Sequence, residues 1–211
     1  MEQLQRIERY TAAVLAEDQT GHGMDHIQRV VHLAGQIAER EDCNDFIVIA
    51  GAYLHDVVDD KLVHDEQEAY EKLAFFLKDI CVSEEERQHI FHVLANVSYS
   101  KEKLNGKNPN LSLEAKIVQD ADRLDALGAI GILRTAYYGA TVGHKIHDPE
   151  LPVQSFISKE EYRKGSTVIN HFYEKLLKIN EGLHTAHGKK LGQKRHDFLL
   201  SFLEEFYDEW V

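Results

Sequence analysis

Phe46-Ile47-Val48-Ile49-Ala50-Gly51-Ala52-Tyr53-Leu54 runs without a polar side chain on any helical face and then ends on His55-Asp56. A helix apolar all round belongs in the middle of a core. Asn44 stands where it can cap that helix, through a side-chain oxygen turned toward the first free N–H groups. Burying an imidazole and a carboxylate at the far end costs several kcal/mol unless something compensates, and a bound cation is the strongest compensation available.

Adjacent residues on a helix point about 100° apart, so His55 and Asp56 can share one ion only beyond the helix end, with other helices completing the set. Two segments offer partners. His26 sits among Ile27, Val30 and Val31, and Asp122 lies within Ile117-Val118-Gln119-Asp120-Ala121-Asp122-Arg123-Leu124-Asp125-Ala126-Leu127.

Apolar residues recur at helical spacing along nearly the whole chain, and no stretch alternates long enough for a strand, so the fold class is all-α. The expected helices are about 2 to 17, 24 to 40, the central helix capped by Asn44, 66 to 79, one capped by Ser83-Glu84-Glu85-Glu86, a long one from Leu113 to about Tyr138, 159 to 179, and 184 to 210. Ser112 caps the long helix. Its small residues Ala126 to Gly131 are expected to let another helix approach closely. Ser158 to Glu161 reads as a second capping box, and a loop is expected from Gly139 to Phe156. One domain accounts for all 211 residues, with a core at about 20–130 and a helical extension at about 139–211.

Composition excludes several classes. A formal charge of −12 repels polyphosphate backbones, so long nucleic acid is not an expected partner. The longest apolar run is far short of the roughly 20 residues a bilayer span needs, and Met1 to Glu8 mixes charge where a secretory leader needs apolar residues. No membrane association and a cytoplasmic location follow as expectations. Cys43 and Cys81 lack metal or redox spacing and read as ordinary thiols.

The segments Gly21-His22-Gly23-Met24-Asp25-His26, Tyr53-Leu54-His55-Asp56 and Asp120-Ala121-Asp122-Arg123-Leu124-Asp125-Ala126 resemble the HD-domain superfamily of metal-dependent phosphohydrolases. The resemblance covers about residues 20 to 130. It implies an HD-domain helical bundle with additional C-terminal helices, and makes His26, His55, Asp56 and Asp122 the metal ligands. Such a mixed nitrogen and oxygen set suits manganese foremost, with iron, cobalt, magnesium or nickel as alternatives, better than structural zinc. A cation of that kind lowers the pKa of bound water and neutralises charge on a phosphate oxygen.

The run His55-Asp56-Val57-Val58-Asp59-Asp60 resembles the His-Asp-x-x-Glu-Asp of the hydrolase domain in guanosine-polyphosphate enzymes. That resemblance implies that Asp59 or Asp60 assists the attacking water, with Asp for Glu at 59 shortening the reach. Phosphates need cations, and Arg123, Lys164 and Lys175, with Arg134 and Arg195 behind them, are the candidates. His22, four residues before His26, can face the same cleft, and Tyr99 can line it. His89 and His92, and the C-terminal His184, His187 and His196, read as surface residues.

Within the superfamily the closest resemblance is to bacterial proteins that look like nucleotide pyrophosphohydrolases. A nucleotide monophosphatase, a guanosine-polyphosphate hydrolase and a noncatalytic metal- or nucleotide-binding regulatory module are the alternatives. The expected ligand in every case is a small phosphorylated molecule.

Overall fold

A computed structural model describes residues 2–16, 23–59, 65–99, 102, 106, 108–154 and 166–210. All regular structure among them is helical: α1 (Glu2–Val14), α2 (Met24–Ala38), α3 (Asp45–Leu54), α4 (Glu66–Asp79), α5 (Glu84–Val97), α6 (Leu113–Asp125), α7 (Gly128–Thr141), α8 (Val168–His171), α9 (Leu177–Ile179) and α10 (Ala186–Glu209). A π-turn, Phe172–Leu176, joins α8 to α9, and a 3-10 turn, Asn180–Gly182, follows. The chain divides into two compact units at Asp122–Arg123, inside α6. No helix among the described residues is long and apolar enough to cross a membrane.

In the first unit, local chemistry sets the helix starts as the sequence leads one to expect. Asn44 Oδ1 accepts from the Phe46 and Ile47 amides, and Ser83 and Glu86 form a reciprocal capping box before α5. Ser112 Oγ accepts from the Ala115 amide at 3.1 Å to start α6. The core runs through Ile27, Val30, Ala34 and Ile37 of α2, Ile47, Val48, Ala50 and Leu54 of α3, Ile90 and Val93 of α5, and Ile117, Val118 and Ala121 of α6, all at most 1 % exposed. Val31, one of the apolar neighbours of His26 in sequence, is only half-buried.

α3 and α6 start together. The buried Glu114 carboxylate accepts from the Asn44 amide at 3.0 Å, and from that knot both helices run the same way, α3 to His55 and α6 to Asp122. At about 1.5 Å per residue, the eleven steps from Asn44 to His55 span about 16 Å, and the eight from Glu114 to Asp122 about 12 Å. Gly51 lets α5 come close to α3: a Cβ there would lie 2.8 Å from Val93 Cγ1, whereas Val118 Cγ2 of α6, at 3.5 Å, would be in ordinary contact.

The expected long helix from Leu113 to Tyr138 is two helices. Gly128 has φ +70°, a left-handed conformation that ends helical runs, and Leu127 just before it is extended. The small residues make a corner, where a Cβ on Gly131 would stand 2.2 Å from Ala126 O, and they also admit α10, since a Cβ on Gly128 would stand 3.2 Å from Arg195 Cγ. Arg195 of α10 then donates to Leu124 O, and Arg134 pairs with the buried Asp125 at 2.8 Å, tying both sides of the corner within the second unit. α7 continues to Thr141, so the expected loop from Gly139 starts later. Of the expected helix at 159 to 179, the described part begins at Val168 and is wound through the π-turn; the second capping box lies outside the described residues.

α8 carries a titratable group with a consequence for stability. Burial, then the charges of Lys175 and His144, push the His171 imidazole down to about 3. A histidine whose folded pKa lies below its unfolded value of 6.5 contributes fully above that value, and its contribution falls as pH drops toward 3. Between pH 7 and pH 5 the loss is on the order of 1 to 2 kcal/mol. Thermal unfolding of the unaltered chain and of His171→Gln at both pH values is expected to show a smaller acid-induced drop in the variant; equal drops would refute the assignment.

Candidate metal centre

α3 terminates by tightening. Val57 N–H donates to Leu54 O at 3.1 Å and Asp59 N–H to Asp56 O at 3.2 Å, so the helix gives way to turns that present His55 and Asp56. His55 Nδ1 lies 2.8 Å from Ala52 O. A carbonyl only accepts, so Nδ1 carries the hydrogen and Nε2 of the neutral ring offers a lone pair.

That lone pair points at the other nominated residues. His26 Nε2, wholly buried on α2, is 3.2 Å from His55 Nε2. Asp56 Oδ2 lies 3.4 Å from His26 Nε2 and 3.5 Å from His55 Nε2, while Asp122 Oδ1 lies 3.6 Å and 3.8 Å from the same two nitrogens. Donor atoms held by one ion at about 2.1 Å stand about 3 to 3.5 Å apart at right-angled to tetrahedral spacing, a range that His26, His55 and Asp56 meet, with Asp122 slightly wider. His26, His55 and Asp56 form the one metal-type grouping among the described residues, all three buried; Asp122 keeps 26 % of its side chain exposed and stands on the solvent side. All four belong to the first unit.

The remaining nominated residues are spread more widely. Asp59 is half-buried, three residues beyond Asp56, whereas Asp60, His22 and Lys164 lie outside the described residues. Arg123 is buried, and its Nη1 donates to Gly182 O at 2.9 Å within the second unit. Lys175 is half-buried on the π-turn, one of the charges acting on His171.

His89 and His92, expected at the surface, are half-buried, and each meets a helix start. His89 Nε2 is 3.0 Å from Glu114 Oε2, and His92 Nε2 accepts from the Ser112 amide at 3.4 Å. Burial raises the Glu114 carboxyl, but hydrogen bonds from the Asn44 and Glu114 amides, with His89, outweigh it and hold the group below its usual value. The two histidines therefore secure the starting ends of α3 and α6, away from the cluster at the other ends. His184, His187 and His196 are half-buried rather than exposed. A helical i, i+3 spacing of His89 and His92 opposite an acidic helix start is the signal that could have revealed their role.

Comparison with known proteins places these residues in a shared frame. The HD domain model matches residues 23–127, which contain all four converging side chains. A Lactobacillus plantarum structure superposes with a TM-score of 0.86 at 41% identity, covering 99% of this chain and 97% of that one. An HD-superfamily hydrolase from Bacillus thuringiensis superposes with a TM-score of 0.79 at 37% identity, covering 99% and 97%. YpgQ of Bacillus subtilis is 32% identical over 209 residues, 97% of this chain and 92% of YpgQ. The structure of YpgQ in complex with ADP superposes with a TM-score of 0.75 at 30% identity, covering 99% and 95%.

Proposed function

The chain belongs to the HD domain family of metal-dependent hydrolases, and on that premise we propose that it cleaves a nucleoside triphosphate into a monophosphate and pyrophosphate. The observation that carries the reading is the convergence of two imidazole nitrogens and two carboxylate oxygens at 3.2 to 3.8 Å, at the end of the most apolar helix. A relative that holds ADP supports a nucleotide as the ligand.

His26, His55, Asp56 and Asp122 would hold a divalent ion, manganese before iron, cobalt, magnesium or nickel. Bound there, the ion supplies Lewis acidity and a water nucleophilic near neutral pH. The chain's own part is orientation and proton transfer. Ala52 O fixes the His55 tautomer, and the Asp59 carboxylate, with Asp60 beside it in sequence, takes the proton as the water oxygen bonds to phosphorus and the α–β anhydride bond breaks. His22, Arg123, Lys164 and Lys175 are the proposed phosphate contacts, by the charge and hydrogen-bonding capacity of their side chains.

Incubating the manganese-loaded chain with a panel of nucleoside tri-, di- and monophosphates and a guanosine polyphosphate tests this. The expected products are monophosphate and pyrophosphate in equal amounts from the triphosphates. Orthophosphate from the monophosphates would move the assignment to a monophosphatase, and pyrophosphate from the guanosine polyphosphate alone to that hydrolase. No product from any of them, with metal bound, would make the fold a binding module.

A further inference from the structure

Thr11 is wholly buried on α1, in a row with Ile7 and Leu15 at four-residue spacing. An aliphatic side chain would fill that row without asking for a partner, whereas a buried hydroxyl must find one. Its Oγ1 donates to the Tyr53 carbonyl oxygen at 3.2 Å.

Tyr53 is two residues before His55, in the last turn of α3, where a helix runs out of N–H groups for its carbonyls. Beyond it the backbone tightens, with the Val57 amide turned to Leu54 O. Two adjacent carbonyls of that turn take side-chain donors instead: Ala52 O takes His55 Nδ1–H, and Tyr53 O takes the Thr11 hydroxyl. The first sets the rotation of the His55 ring. The second fixes the strip of backbone from which both His55 and Asp56 project.

We propose that Thr11 is a positioning residue for the metal centre, its hydroxyl holding the end of α3 so that His55 and Asp56 meet His26 and Asp122. The inference rests on the metal-centre reading above and extends it to α1, which precedes the residues matched by the family model. α1 has separate anchors: Gln3 Nε2 donates to Ile80 O and Cys81 O at 3.1 and 3.0 Å, and Arg6 pairs with Asp79 at 2.8 Å. Losing the Thr11 hydroxyl therefore releases the end of α3 without releasing α1.

The test uses the full chain with Thr11→Val, which keeps the shape and loses the hydroxyl, and Thr11→Ser, which keeps the hydroxyl and loses a methyl. Each is titrated with Co2+, followed by visible absorption, and melted without metal. Thr11→Val is expected to bind Co2+ about tenfold more weakly, with an altered spectrum, at the lower end of what disturbing an outer partner of a metal ligand causes. Thr11→Ser is expected to bind within about twofold of the unaltered chain even where it melts lower, because affinity follows the hydroxyl and not the packing.

Co2+ binding by Thr11→Val indistinguishable from the unaltered chain overturns the proposal. So does weakening in both variants in step with their melting temperatures. Should Thr11→Val fail to fold, Thr11→Ala against Thr11→Ser isolates the hydroxyl, and equal affinities overturn it equally. Absence of Co2+ binding by the unaltered chain itself removes the metal centre and the proposal with it, a result told apart by where it occurs.

Discussion

His55→Ala and Asp56→Ala are each expected to abolish metal binding and turnover, with a loss well beyond the roughly 10- to 100-fold that disturbing an outer partner of a metal ligand causes. Each imidazole nitrogen takes part in three of the five short approaches within the cluster, and each carboxylate in two. His55→Ala should therefore be the more damaging to affinity. Neither change opens a large cavity in the apolar core, because both residues stand just past the last turn of α3. Circular dichroism is expected to show a helical protein in both cases.

Asp122→Lys sharpens the same prediction. Its side chain is 26 % exposed, so a lysine stem can lie along the helix and bring its ammonium to water, leaving the fold intact while placing a positive charge where a cation would sit. Metal analysis after purification, turnover against a nucleoside triphosphate, and circular dichroism together give the answer. A metal-free variant that still turns over substrate would remove these residues from the chemistry. A variant that binds metal as before would remove that residue from the site.

How far this centre was legible from sequence depends on the range over which each signal acts. The α3 run and its His55-Asp56 ending are local, and so are the Asn44, Ser83 and Ser112 caps; local chemistry decides these and the structure agrees. α4, expected at 66 to 79, occupies Glu66–Asp79 for the same reason. His26 and Asp122 were placed by resemblance and by their apolar neighbours, and the structure brings them beside His55.

The break after α6 was misread for an identifiable reason. Gly128 does admit Arg195 of α10, but a glycine following a helix is also the commonest left-handed stop, and that second role ends α6. The knot of Glu114, Asn44 and His89 joins residues 25 and 70 positions apart, and no periodicity in one segment reveals a partner on another. Thr11 escaped for the opposite reason. In sequence it looks like a tolerated polar residue in an apolar row, and only the carbonyl it meets gives it a role. The π-turn at Phe172–Leu176 adds a residue to a helical turn, which shifts the helical face without changing composition.

Removing the metal with a chelator is expected to lower the melting temperature substantially, and restoring manganese to recover it. In the metal-free chain the buried nitrogens and oxygens face one another at 3.2 to 3.8 Å. His55 Nδ1 is engaged with Ala52 O, which leaves its Nε2 directed at His26 and the two carboxylates. A divalent ion adds an attraction shared by all four donors, and the unfolded chain, with these donors far apart, cannot bind it comparably. At a free metal concentration about a thousand times the dissociation constant, linkage gives about 4 kcal/mol. For a chain of this size that corresponds to a rise of roughly 10 °C, since each kcal/mol moves the midpoint by about 2–4 °C. The rise should shrink to nothing in His55→Ala and Asp56→Ala, whose metal-free forms should melt no lower than the metal-free parent by more than the loss of one side chain explains. Melting curves with chelator and with manganese, run on all three proteins, separate the contribution of the ion from that of the residues. A rise equally large in the ligand variants would mean that manganese binds elsewhere, and no rise in the parent would mean that the converging donors do not hold it.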